Sequence, residues 1–134
     1  WEMRVSSNTE SPAIVNEIWF TGTTYRDGEQ GELNFHEFHE PGKPVVARIN
    51  WNSTGGTDQL TFTDLSENPG DVLTLLNSGD VARITYHDAA AGQDHFITWN
   101  EKNGTGSLRV PDYNNGQEAC WDNHQNDVSC VTLP

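Results

Sequence analysis

Oxygen-bearing side chains cluster in two neighbouring loops near the C-terminus. Residues 112–118 read Asp-Tyr-Asn-Asn-Gly-Gln-Glu, and Asp122, Asn123 and Asp127 follow closely. Carboxylate and amide oxygens are the ligands that calcium takes, and a glycine permits the bend of a calcium loop. The EF-hand order of ligands is absent. We therefore predict a calcium site of another kind, with Asp112, Asp122 and Asp127 as ligands; ordinary turn composition is the alternative.

Aromatic residues lie in the same two loops. Tyr113 belongs to the first loop, and Trp121 directly follows Cys120. Flat aromatic rings stack on sugar rings, and amides such as those of Asn114 and Asn123 bond to sugar hydroxyls. The predicted carbohydrate-binding residues are thus Tyr113, Asn114, Trp121 and Asn123. The chain has five tryptophans, and packing in a core is the alternative role for each.

Two groups of histidines have the residue types of a metal site. Residues 36–40, His-Glu-Phe-His-Glu, fall one residue short of the HExxH zinc signature, and on a strand the two histidines would point to opposite faces. In a predicted hairpin, one register pairs Tyr86 with His95, and a register one residue away pairs His87 with His95. The sequence favours neither register, and polar strand ends are the expected role of both groups.

No motif indicates an enzyme. The sequence lacks a nucleophile elbow, a phosphate-binding glycine loop and the surroundings of a catalytic cysteine. Glu37 with Glu40, or Asp112 with Glu118, would be a glycosidase pair only in a suitable geometry. No catalytic residue is therefore predicted, and a small secreted hydrolase is the third choice of function.

The cysteines are Cys120 and Cys130. They lie close together without a CxxC motif, so we predict a disulfide, with two free thiols as the alternative. Such a bond contributes about 2–3 kcal/mol in the chain-entropy model. It also predicts a secreted, periplasmic or cell-surface protein.

Acidic residues outnumber basic ones 20 to 7, which gives a formal charge of −13. Nucleic acid and anionic membranes are poor partners for such a surface, and no apolar run is long enough to cross a bilayer. Salt would screen the self-repulsion, so a halotolerant protein and an ordinary acidic secreted domain are both open. The 134 residues fit one domain, residues 1–134.

Nine or ten short strands at intervals of about 8–12 residues predict an all-β fold. We expect a single antiparallel β-sandwich of jelly-roll or Ig-like type, with a barrel as the second choice. The cleanest strand is residues 45–51, and residues 81–99 form the central hairpin. The predicted core shares one set of strand faces: Val45, Ala47, Ile49, Leu60, Phe62, Ile84 and Tyr86.

Residues 68–74, Asn-Pro-Gly-Asp-Val-Leu-Thr, resemble a strand-entry segment of calcium-dependent galactose-binding bacterial lectins. The C-terminal disulfide loop resembles that of type IV pilin heads. Neither resemblance extends far enough to carry over a site, so function is predicted from the residues alone. The first expectation is a secreted binding or adhesion module for glycans, assisted by calcium. The alternative is a structural subunit of an extracellular assembly, in which the chain binds a protein or another copy of itself.

Overall fold

The computed structural model describes residues 1–130 as one antiparallel sheet of 11 strands. The strands pair in the order in which they occur in the chain, so the first and the last are the two edges. They are β1 (Glu2–Ser7), β2 (Ile14–Thr24), β3 (Gln30–His36), β4 (Val45–Thr54), β5 (Thr57–Asp64), β6 (Val72–Ser78), β7 (Val81–Asp88), β8 (Gln93–Asn100), β9 (Gly106–Arg109), β10 (Ala119–Trp121) and β11 (Asp127–Val128). The predicted all-β class and antiparallel pairing are confirmed.

Turns and loops of up to nine residues connect successive strands and keep them in one sheet. In the β4–β5 hairpin, Thr54 pairs with Thr57, which leaves Gly55 and Gly56 as a two-residue turn. Their φ angles of 64° and 78° lie in the left-handed region that such a turn requires and that glycine adopts without strain. Helical structure in residues 1–130 is the short 3₁₀ turn Asn114–Gly116. In this part of the chain no helix has the length and apolar character to cross a membrane.

Alternation along each strand divides the side chains between two faces. One face, called here the apolar face, carries two neighbouring cross-strand rows without any Asp, Glu, Lys or Arg. The first row is Trp1, Gly22, Leu33, Ile49, Phe62, Leu73, Tyr86 and His95. The second row is Thr24, Gly31, Trp51, Leu60, Leu75, Ile84, Ile97, Leu108 and Ala119.

The opposite face, called here the polar face, is rich in threonine and amides. Its central row is Thr23, Glu32, Asn50, Thr61, Thr74, Thr85, Phe96 and Arg109. On β6, Thr74 of this face is half-buried, whereas Leu73 and Leu75 of the apolar face are exposed. The usual relation between polarity and exposure is thus reversed on this strand.

The apolar face has no second layer in the described chain, so the predicted core is not buried. Val45, Ala47, Ile49, Leu60, Phe62, Ile84 and Tyr86 share the face as predicted, but Leu60 exposes 37% of its surface and the others are half-buried. The fully buried apolar residues among those described are Ala82 and Cys120. The total accessible surface is 9049 Å², against about 7,000 Å² for a compact monomer of this mass.

The register of the central hairpin and the state of the cysteines are both settled. Ile84 pairs with Ile97 and Tyr86 with His95, so the first of the two open registers is the one observed. Cys120 and Cys130 form a disulfide with a Cα–Cα distance of 5.2 Å, as predicted. The bond joins β10 to the segment that follows β11.

Candidate functional site

The apolar face is the largest candidate surface. Nine strands, β2 to β10, span about 38 Å at the usual strand spacing, and the two rows, which take up four residues of each strand, cover about 14 Å along the strands. The product, about 500 Å², lies at the upper end of the range for the largest apolar patch of a typical monomer. Leu60, Leu75 and Ile97 each expose 37% of their surface within it. Exposed apolar faces of this extent are typical of interaction surfaces.

Three tryptophans on this face lie opposite glycines on the neighbouring strand. Trp1 pairs with Gly22 through backbone hydrogen bonds, and the other two pairs are Trp51 with Gly31 and Trp121 with Gly106. A Cβ built on Gly31 or Gly106 would lie 2.1 Å or 2.2 Å from the indole Cζ2 atom. The rings therefore lie flat on the glycine backbones, because a glycine leaves the space that a side chain would fill.

Hydrogen bonds fix two of these indoles. The Nε1–H group of Trp51 donates to the carbonyl of Gly28 at 3.2 Å, and that of Trp121 donates to the carbonyl of Gly104 at 2.9 Å. Each ring is thus held on one side by backbone and satisfied at its polar atom. Its other side remains available to a ligand or to a packed partner.

Trp99 and Trp121 line a cleft of about 510 Å³ at the C-terminal end of the apolar face, together with Gly104, Gln125 and Asp127. Both tryptophans flank Gly106, which pairs with each of them from the strand between. The cleft combines aromatic walls with one amide and one carboxylate at its rim. This combination suits a ligand with an apolar ring face and hydroxyl groups.

The predicted sugar-binding residues divide between two clefts. Trp121 belongs to the cleft just described, whereas Tyr113 and Asn114 line a neighbouring one of about 380 Å³ beside the disulfide. Asp127 contributes to both. Asn123 is exposed, and its backbone oxygen lies near Gly104. The structure thus places these residues near one another, but they do not surround a single position for one sugar ring.

The predicted calcium ligands do not converge. Among residues 1–130, the group of potential ligand atoms that approach one another within 4.8 Å is Glu118, Cys120 and Cys130. Its cysteines are bonded to each other, so they offer no thiolate to a metal. Asp112 and Asp127 are exposed. Calcium binding remains a prediction that would require the loops to move together.

Asp122 has a clear structural role in its loop. Its carboxylate accepts hydrogen bonds from the backbone N–H groups of Asn126 at 2.9 Å and His124 at 2.8 Å, and from the Asn126 side chain. These donors lower the pKa of Asp122, the backbone N–H of Asn126 contributing most. The carboxylate thereby closes the turn that joins β10 to β11.

The histidines lie apart in the observed register. His87 belongs to the polar face, where its Nδ1 atom lies 2.7 Å from Asp94 Oδ1, whereas His95 belongs to the apolar face beside Tyr86. His36 contacts the backbone carbonyl of Lys43 and the hydroxyl of Thr21 through its two ring nitrogens. In this register His87 and His95 therefore lie on opposite faces of the sheet.

Glu37 of the same motif also has a structural role. Its Oε1 atom accepts hydrogen bonds from the backbone N–H groups of His39 at 2.9 Å and Phe38 at 2.7 Å. These two bonds lower the pKa of the Glu37 carboxyl, that from His39 contributing most. The carboxylate stabilises the loop after β3, and Glu37 lines a cleft of about 610 Å³ together with Glu40 and Glu67.

A carboxylate at the start of β6 contacts the end of β7. The Tyr86 hydroxyl donates to Asp71 Oδ2, and the Ala89 backbone N–H donates to Asp71 Oδ1 at 2.9 Å. The bond to Asp71 is the main cause that raises the pKa of Tyr86 to about 12, and the Tyr86 hydroxyl is the main cause that lowers the pKa of Asp71. This contact stabilises the rim of the apolar face.

No protein-family model matches the sequence, and no significant similarity links it to a curated protein or to a solved structure. The candidate functions of this chain therefore follow from its own geometry.

Trp99, Gly104 and Gln125 are the cleft residues that were not predicted from the sequence. A usable signal was present, because Gly106 follows Trp99 by a short turn and both belong to strand-like segments. A glycine inside a strand indicates close approach of another group. What the sequence could not supply was the pairing that brings Trp121 onto that glycine.

Proposed function

We propose that this chain is a subunit of an extracellular assembly that packs its apolar face on the same face of a second copy. The observation that supports this most strongly is the pair of adjacent rows without a charged residue on an exposed sheet face. In a chain with 20% charged residues, such a surface is a feature of buried interfaces. Two copies related by a twofold axis would form the two layers of a β-sandwich.

The size of the face supports a stable dimer. About 500 Å² from each copy gives about 1,000 Å² in total, which reaches the lower limit of specific interfaces. Acidic groups such as Asp64 and Asp127 lie at strand ends, outside the two rows. The carboxylates would thus form the rim of the interface, where water and salt still reach them.

The edges of the sheet are less suited to assembly than its face. β11 has two residues, and the pairing of β1 with β2 shifts register twice. Short strands and bulges are features that prevent an edge from adding another strand. Glu2 and Arg4 also form a 2.7 Å ion pair on β1. We therefore favour packing of faces over pairing of edges.

Sizing by sedimentation at increasing concentration tests the proposal. We expect a dimer that strengthens with salt, because each copy carries a formal charge of −13 and salt shortens the range of their repulsion. Leu75→Asp, at the centre of the face, should produce a monomer, because the dimer would bury an unpaired charge from each copy. Thr74→Asp, one residue away on the polar face, is the matched control and should remain dimeric.

Two outcomes would contradict the proposal. One is a wild-type protein that stays monomeric at high concentration and high salt. The other is equal dissociation of the Leu75→Asp and Thr74→Asp variants, which would indicate a general effect of charge. Circular dichroism of both variants establishes that each is folded.

Carbohydrate binding, assisted by calcium, is the second candidate, and the Trp99–Trp121 cleft favours it. A sugar stacked on Trp121 would direct its hydroxyls to Gln125 and Asp127, which line the same cleft. Because the cleft lies on the apolar face, a glycan that fills it would compete with the second copy. Calcium could join Asp127 to its neighbours only after loop movement.

A glycan array with and without calcium tests this candidate. Trp121→Ala should abolish binding, whereas Trp51→Ala should retain it. The two variants are matched, because each removes an indole that covers a glycine and donates to a backbone carbonyl. Absence of any glycan signal, or equal loss in both variants, would exclude the cleft as a sugar site. The secreted location that both candidates require is compatible with the disulfide.

A further inference from the structure

We infer that a cleft on the polar face binds a hydroxylated ligand that carries one carboxylate group. The cleft has a volume of about 470 Å³ and contains Arg83, Phe96 and Arg109. It lies on the side of the sheet opposite the apolar face, so the inference does not depend on the proposed assembly. A ligand site of this size is in the usual range for small molecules.

The two arginines converge on one aromatic ring. Arg109 on β9 pairs directly with Phe96 on β8, and Arg83 on β7 lies diagonally opposite. Each guanidinium carbon is 4.7 Å from the centre of the Phe96 ring. Stacking on a ring holds a guanidinium in place while its N–H groups stay free to bind at their edges.

These guanidinium groups are without carboxylate partners among residues 1–130. Elsewhere in this range Arg4 pairs with Glu2 at 2.7 Å and Arg48 with Glu32 at 3.6 Å. No such ion pair joins Arg83 or Arg109 to any of the described carboxylates, although the chain has 20 acidic residues. Two adjacent unpaired cations in so acidic a chain form a local site for an anion.

The rest of the cleft specifies the ligand further. Thr98 and Ser107, paired across β8 and β9, and the Gln117 amide supply hydrogen-bonding groups. Glu118 also lines the cleft. Its carboxylate repels a second negative charge and accepts hydrogen bonds from hydroxyl groups. A monoanion with hydroxyls, such as a hexuronic acid, fits this arrangement better than a dianionic phosphate does.

Planar carboxylates match the guanidinium fork. An arginine donates two parallel N–H···O bonds to one carboxylate, and these bonds are stronger than neutral ones. The two guanidinium groups stacked on Phe96 can bind both carboxylate oxygens of the ligand. The apolar edge of the sugar ring would then lie near Phe96. The neutral sugar of the same shape would lack the charge-assisted bonds.

Titration of the whole chain with glucuronate, followed by NMR chemical shifts or calorimetry, tests the inference. We expect glucuronate to bind at least about tenfold more tightly than glucose, since charge-assisted hydrogen bonds are the stronger ones. Arg83→Gln and Arg109→Gln should each weaken glucuronate binding by about tenfold or more. Arg48→Gln is the control, because Arg48 lies on the same face but already pairs with Glu32.

Two further variants keep the test decisive. Arg109→Lys retains the charge, so it should fold and still lose affinity if the planar fork matters. Glu118→Gln should improve binding of inorganic phosphate relative to wild type. Equal binding of glucose and glucuronate, no binding of glucuronate, or the same loss in Arg48→Gln as in Arg83→Gln would overturn the inference.

Discussion

Replacement of Gly106 by alanine tests whether the tryptophan–glycine pairs stabilise the sheet. The new Cβ would lie 2.2 Å from Trp121 Cζ2 and 2.5 Å from the backbone oxygen of Thr98. Overpacking of this kind costs about 1–3 kcal/mol, and displacement of the indole breaks its bond to Gly104, worth about 1 kcal/mol. Alanine offsets about 0.5–1 kcal/mol of this cost, because the unfolded chain has less conformational entropy with alanine than with glycine. We therefore expect a net loss of about 1–3.5 kcal/mol in the free energy of unfolding.

Thermal unfolding followed by circular dichroism at one fixed protein concentration measures this loss. A chain of this length loses about 3–5 °C of Tm for each kcal/mol, so Tm should fall by about 3–18 °C. Gly22→Ala is the control. The three atoms nearest to its Cβ belong to the side chains of Leu33 and Trp1, and side chains can move aside, so Gly22→Ala should lose less stability. If Gly106→Ala is as stable as wild type or more stable, the close packing inferred here is refuted.

Other predictions concern the rim and the disulfide. Tyr86→Phe should remove a contribution to the free energy of unfolding that is present below pH 10, the pKa of tyrosine in the unfolded chain. In the wild type this contribution is lost as pH rises through about 12, the pKa of folded Tyr86. Urea titrations of both proteins from pH 8 to 12 measure the difference, and identical profiles would contradict the prediction. Asp71→Asn and Asp122→Asn should each reduce the loss of stability that the wild type shows on acidification. The pKa values of Asp71 and Asp122 are lowered in the folded chain. Their contribution to stability is therefore present above about pH 4 and is lost as pH falls through the folded values. Reduction of the Cys120–Cys130 bond, which spans a sequence separation of 10, should cost about 2.5–3 kcal/mol in the chain-entropy model, and an unchanged urea midpoint would refute it.

Local patterns in the sequence predict much of this fold, because strand formation depends on neighbouring residues. β-branched and aromatic residues alternate with polar ones in β4, and turn residues such as Gly55 and Gly56 end it. Period-two alternation places Ala47, Ile49 and Trp51 on one face regardless of the rest of the molecule. The disulfide was predictable for a similar reason, since Cys120 and Cys130 are close in sequence.

The site depends on contacts that cross strands. Phe96 faces two arginines only because β8 lies between β7 and β9 in one register, and a shift of one residue would move Phe96 to the other face. Trp121 covers Gly106 for the same reason. The residues predicted to bind calcium and sugar do not form one site. The reason is that the loop that contains Tyr113 and the turn closed by Asp122 lie at opposite ends of β10.

The sequence by itself determined that one side of the strands is apolar. Only the tertiary structure decided that no second layer of the described chain covers that side. Alternation assigns Leu60 and Leu75 to a common face but does not specify a second layer. A sandwich within one chain requires connections that cross from one sheet to another. Here every strand is followed by a turn that returns the chain to its neighbour. The described chain therefore extends in one layer, and its apolar side chains stay at the surface.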